Sequence, residues 1–111
     1  MAMGTLVGST IPSQLIGVIQ NIIDYNMDLQ EAVDAPRVHM QGLPDKLFVE
    51  PYCLSADTAR LLNKMGYAIT VGSPFDTLYW GGVVGIQVDE RLNELKGACD
   101  ARRPGGLAIG N

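Results

Sequence analysis

Few residues in this 111-residue chain are of a type that does covalent or metal chemistry, and their spacing excludes most of the usual devices. His39 is the only histidine, so neither a His-rich metal site nor a nucleophile–base pair using a second histidine can be assembled. It reads as a polar residue at a helix-to-strand junction. Cys53 and Cys99 are too few and too far apart for a zinc site or a redox CxxC motif, and they read as small apolar residues. Gly81-Gly82 invites a phosphate-loop reading, but neither GxxxxGKS/T nor GxGxxG surrounds it, and a bulge in a strand fits better. Arg102 and Arg103 beside Asp100 have the chemistry of an anion or carboxylate site. They read instead as an ordered loop ion-paired with the chain's surplus acids. Arg37 reads as a buried or interface partner of a carboxylate, and Trp80 with Tyr79 as core aromatics rather than an interface anchor.

The elements that would position these groups follow from hydropathy and turn chemistry. The opening MAMGTLVGST is a short apolar run ending at Gly8-Ser9-Thr10 and reads as a strand running into a turn. Leu15, Ile16, Ile19, Ile22 and Ile23 recur at helical spacing, with Ser13 as a candidate N-cap and an end near Tyr25-Asn26. A second short helix spans Asp28 to Ala35: Asp28 and Glu31 form a capping-box pair, and Pro36 ends it. Arg37 to Gln41 and Leu47 to Glu50 read as strands flanking a loop through Gly42, Pro44 and Asp45. Leu54 to Met65 is the clearest amphipathic helix, capped by Ser55 and closed by Gly66. Strands follow at Tyr67 to Val71 and Leu78 to Val88, the latter returning through a turn at Asp89-Glu90-Arg91 into Leu92 to Ala98. Helices early and antiparallel strands late give an α+β single domain over residues 1–111.

Composition narrows the partners. With 47% hydrophobic and 18% charged residues the chain is that of a folded domain, not a disordered one. A net charge of −4 gives no electrostatic reason to expect nucleic acid or an anionic membrane. No apolar run approaches the ~20 residues of a membrane span. No signal-peptide pattern is visible, and the sequence assigns no compartment.

Several separate segments carry a stronger signal together than alone. The apolar helix Leu15 to Met27 precedes AVDAPRVH (Ala32 to His39), then LPD (Leu43, Pro44, Asp45), VEP (Val49, Glu50, Pro51) and CDARRPGG (Cys99 to Gly106). In that order they resemble the C-terminal part of the small subunit of γ-glutamyltransferases, over roughly Gly4 to Gly110. These are N-terminal-nucleophile hydrolases that cleave themselves and then use a newly exposed Thr.

The resemblance implies part of a four-layer αββα sandwich. It also implies γ-glutamyl transfer or hydrolysis, from glutathione or a related compound, through an ester on that Thr. The Thr's own α-amino group serves as base, so no histidine, metal or organic cofactor is implied. The nucleophile falls upstream of this chain, and neither Thr5 nor Thr10 has surroundings resembling it. The chain alone should then be inactive, with the remainder of the γ-glutamyltransferase or a second copy, as a homo-oligomer, for partner.

One catalytic element is expected inside the chain. The family carries a GSPGGS-like turn before the long helix, and the backbone N–H groups of its glycine pair form an oxyanion hole. Aligned on Gly8-Ser9, the pair falls on Ile11 and Pro12, which would be a degenerate site because proline has no N–H. CDARRPGG also departs from the family's pattern, with Ala101 where proline is usual. A reading from another class is a free-standing, non-catalytic binding or oligomerising module descended from the family, which the Ile11-Pro12 replacement favours.

Overall fold

The computed structural model describes residues 1–6, 8–73 and 80–110. Its elements are β1 (Ala2–Gly4), a 3-10 turn (Gly8–Thr10), α1 (Ile11–Ile23), α2 (Leu29–Asp34), β2 (Val38–His39), β3 (Leu47–Val49), α3 (Ala56–Lys64), β4 (Ile69–Val71), β5 (Val84–Asp89) and β6 (Glu94–Cys99). The chain is α+β, with two three-stranded sheets ordered β1-β5-β6 and β2-β3-β4. Among the described residues no helix is long and apolar enough to cross a membrane.

The local signals hold where they are local. Asp28 caps α2 in a full capping box with Glu31, and Ala35 before Pro36 turns to ψ 143, which stops the helix. Ser55 caps α3 by accepting from the Thr58 N–H, and Gly66 adopts φ +99 past its end. The hairpin after β5 forms with Asp89 paired to Glu94.

Several expectations need correction. Ser13 does not cap α1: the 3-10 turn runs straight into the helix at Ile11, Thr10 occupies the cap position with its hydroxyl turned to Gln14 rather than to a first-turn N–H, and Pro12 sits in the first turn, where a missing N–H is harmless. β3 and β4 are parallel rather than antiparallel, Leu47 facing Ile69 and Val49 facing Val71. The connection between them carries α3, and parallel neighbours require such a crossover. Gly81-Gly82 precedes β5, which starts at Val84, so the pair is no bulge within a strand. Leu78 and Tyr79, expected in that strand, lie outside the described residues.

The core lies between α1, α2 and one face of β1-β5-β6. Val18, Leu29, Ala32, Val33, Val83 and Ala98 are buried there, with Met3, Leu15, Ile22 and Met27 packed against them. A Cβ at Gly85 would meet Leu29 Cδ1 of α2 at 3.5 Å, an ordinary van der Waals contact. The Gln30 side chain bonds both backbone groups of Cys99 (3.0 and 3.3 Å), docking α2 on the edge of β6.

Two apolar surfaces stand open among the described residues. Val84, Ile86 and Val88 alternate onto one face of β5 and are about half exposed, while the opposite face carries Gly85, Gln87 and Asp89. Sheets that pack face to face present such an apolar face to each other. Helix α3 buries none of its residues fully, and Leu61 and Met65 stand exposed, although its pattern is the most amphipathic in the sequence.

Tyr52 is 99% exposed and held at φ +65. A side chain in the left-handed region costs about 1–2 kcal/mol, and here no packing offsets it. Tyr52→Gly is therefore expected to raise the urea midpoint by up to about 1 kcal/mol of stability, after glycine's own entropic penalty.

Candidate functional site

Three of the recurring segments meet in one buried ionic cluster. Arg37 from AVDAPRVH, Glu50 from VEP and Asp100 and Arg102 from CDARRPGG are drawn from positions far apart in sequence. Arg37 Nη1 pairs with Asp100 Oδ2 at 2.7 Å, while Arg102 grips Glu50 with Nε and Nη2, both at 2.5 Å, and reaches Asp100 Oδ1 at 3.0 Å. Arg37, Glu50 and Asp100 are nearly inaccessible to solvent (6%, 2% and 2%). Backbone groups take up most of the remaining valences, Arg37 Nε being buried without a partner among the described residues. Asp100 accepts from the N–H groups of Val83 and Arg102, Glu50 accepts from Arg37 N–H, and the two guanidiniums donate to the carbonyls of Val33, Asp34, Ala35 and Trp80.

Electrostatics follow from this packing. Burial alone would push the Asp100 carboxyl up, but the Arg102 and Val83 N–H groups and the Arg37 charge hold it below the usual carboxylate range. Burial would lower Arg102, yet its bonds to Glu50 and Asp100 raise it. Arg37 is lowered by burial and by the neighbouring Arg102 charge. Two cations and two anions balance, with each carboxylate engaged. The cluster ties α2, β3 and the loop after β6 together. The structural reading of Arg37, Asp100 and Arg102 is the one the geometry supports. Arg103 lies apart from the cluster, over Gly82, donating to Gly81 O at 3.3 Å. Trp80 is fully buried, as expected of a core aromatic.

The other candidates sort quickly. Burial, with the Glu50 carboxylate adding to it, pushes the Cys53 thiol up and away from a reactive thiolate. His39 is buried at the start of the β2–β3 pair, its Nδ1 2.9 Å from Ser13 Oγ, its Nε2 3.1 Å from Gln41 Oε1, and its ring stacked on Phe48. Among the described residues no three His, Cys, Asp or Glu side chains converge as a metal site requires.

Ile11 and Pro12 are the first two residues of α1, inside the helix and past the turn that precedes it. That turn is Gly4 to Ser9, reading GTLVGS, and it matches GSPGGS at Gly4, Gly8 and Ser9. Alignment on Gly8-Ser9 places the motif four residues further along the chain. Gly8 lies at φ +48 with open space around it. The turn is held at both ends by one side chain. Thr5 Oγ1 donates to Gln14 Oε1 and Gln14 Nε2 donates to Thr10 Oγ1, both at 2.6 Å, while Gly82 N–H reaches Thr5 Oγ1 at 3.3 Å.

A family model described as gamma-glutamyltranspeptidase matches residues 1–110. The chain belongs to the γ-glutamyltranspeptidase family. It is 38% identical to the glutathione hydrolase proenzyme of Pseudomonas sp. (strain A14) across 99% of its own length, and 36% identical to that of Escherichia coli (strain K12) across 93%. It spans about a fifth of each (20% and 17%). Its fold superposes on part of an acivicin-inhibited γ-glutamyltranspeptidase with a TM-score of 0.83 at 40% identity, covering 93% of this chain and 53% of that one. The Helicobacter pylori γ-glutamyltranspeptidase T380A mutant gives 0.77 at 39%, covering 91% and 53%. The γ-glutamyltranspeptidase likeness thus extends over the ionic cluster, the GTLVGS turn and both sheets.

Proposed function

We propose that this chain forms part of an N-terminal-nucleophile hydrolase that transfers or hydrolyses γ-glutamyl groups, from glutathione or a related γ-glutamyl compound. The threonine nucleophile comes from residues outside the chain, so the chain by itself is inert. Its contribution to catalysis is the GTLVGS turn, the observation that carries this reading. In that register the glycine pair corresponds to Val7 and Gly8, both of which possess the backbone N–H that Pro12 lacks. In such acyl transfers a backbone donor to the developing oxyanion is worth about 3 kcal/mol.

The remaining layers of an αββα sandwich account for the uncovered surfaces. The outer face of β5, with Val84, Ile86 and Val88, is where the second sheet packs, supplied by the rest of the protein or by another copy. No metal or organic cofactor enters this chemistry.

A chimera tests the proposal: residues 1–110 replace the homologous segment of the Pseudomonas sp. (strain A14) proenzyme. It is expected to self-cleave and to hydrolyse γ-glutamyl-p-nitroanilide with a kcat reduced by much less than the ~10²-fold that loss of one oxyanion donor causes. A chimera that folds and cleaves but has lost ~10²-fold or more supports the non-catalytic module instead.

A further inference from the structure

We propose that Gln14 is a positioning residue for the oxyanion turn, clasping its two ends so that the Gly8 N–H is held ready before substrate arrives; this rests on the role given to the turn above. Gln14 is a polar side chain in the first turns of α1, yet only 1% exposed, and burial of an amide is tolerated only where hydrogen bonds replace water. Its carbonyl oxygen takes the Thr5 hydroxyl proton and its amide nitrogen donates to the Thr10 hydroxyl, at 2.6 Å each. Thr5 follows the first glycine of GTLVGS, and Thr10 follows its final serine. One rigid amide therefore spans the mouth of the turn.

The surroundings are shaped to admit it. Gly81 lies against the amide, where a Cβ would press on both of its terminal atoms, and the Gly82 N–H adds a second bond to Thr5. A weaker brace on the outer side runs from Ser9 Oγ to Gln41 Oε1 (2.7 Å), and Gln41 is steadied by His39. Since an amide oxygen only accepts, His39 Nε2 carries the proton and Nδ1 accepts from Ser13, which ties the start of α1 to β2 as well. Oxyanion stabilisation depends on donors that need no reorganisation during the reaction, and fixing both ends of a glycine-bearing turn is a direct way to supply that.

Gln14→Met keeps the side chain's length and removes both hydrogen bonds. In the chimera its kcat is expected to fall roughly 10- to 100-fold with KM unchanged, as misplacement of a reacting geometry does. A purely structural role would lower the yield of folded enzyme and leave the kcat of the folded fraction alone, which would overturn the proposal. Thr10→Ser, which keeps the hydroxyl, should retain activity where Thr10→Val does not. An independent reading uses the 111-residue chain itself: the backbone 15N order parameter of Gly8 should drop from about 0.85 to below about 0.6 in Gln14→Met. An unchanged order parameter rejects the clasp even if the unsubstituted chimera proves inactive, whereas an inactive chimera with a loosened Gly8 rejects only the catalytic role of the turn.

Discussion

Arg102→Ala is expected to destabilise the chain by about 3–5 kcal/mol, a large fraction of the ~5–15 kcal/mol by which small domains are stable. The guanidinium is the shared partner of Glu50 and Asp100, and it also donates to the carbonyls of Val33, Asp34 and Ala35. Without it the Glu50 carboxylate, 2% exposed, keeps among the described residues only the Arg37 N–H, and an unpaired buried charge costs far more than the pair contributes. Urea unfolding measures the loss. A double replacement, Glu50→Leu with Arg102→Met, should recover a large part of it by removing both charges together, and the resulting coupling identifies the pair as the cause.

The same cluster fixes the response to acid. Asp100 titrates lower in the folded chain than in the unfolded one, where a free aspartate has a pKa of about 3.9. Its contribution is therefore complete above that value and is lost as pH falls through the lower folded value. Acid unfolding should set in below about pH 4, and Asp100→Asn should blunt that dependence while lowering stability at neutral pH.

The route from sequence to this cluster explains what is legible without coordinates. AVDAPRVH, VEP and CDARRPGG are recognisable as segments because their order is preserved, and Arg37 reads as a carboxylate partner from its chemistry alone. Which carboxylate it meets is a matter of long-range packing, and nothing local in the sequence encodes the 2.7 Å contact with Asp100. The Asp28 capping box and the stop at Pro36 are legible because their causes lie within four residues. The direction of β4 is not, since a strand pattern is the same whichever way its neighbour runs. Helix α3 misleads in another way: its apolar stripe is real, but the surface that would cover it is not among the described residues. A serine followed by apolar helical spacing is a fair N-cap signal, yet the Ser13 hydroxyl meets His39 Nδ1 instead, a long-range contact that no local pattern encodes.

Gly81→Ala is expected to be the most damaging single methyl group added to the chain. Gly81 sits at φ +56, so any side chain there costs about 1 kcal/mol in backbone strain. The new Cβ would also lie 2.6 Å from the Leu6 carbonyl oxygen and 2.8 Å from Gln14 Nε2, closer than such atoms approach. Leu6 belongs to the turn and its oxygen is backbone, so it cannot move without moving GTLVGS; overpacking of this kind adds about 1–3 kcal/mol. The total, about 2–4 kcal/mol, is to be read from the urea midpoint against Gly105→Ala. Gly105 has φ +90 and open space where its Cβ would stand, so that variant carries the conformational cost alone. The excess of the first loss over the second measures the steric part. If the two losses are equal, the space beside Gln14 is not tight and Gly81 is there for its dihedral angle. If Gly81→Ala is worse, as the contacts require, trimming Gln14 to alanine in the same chain should relieve only the part owed to the amide, because the Leu6 carbonyl oxygen stays in place. Set against the loss in Gln14→Ala alone, that relief separates what the glycine does for folding from what the amide does for the turn.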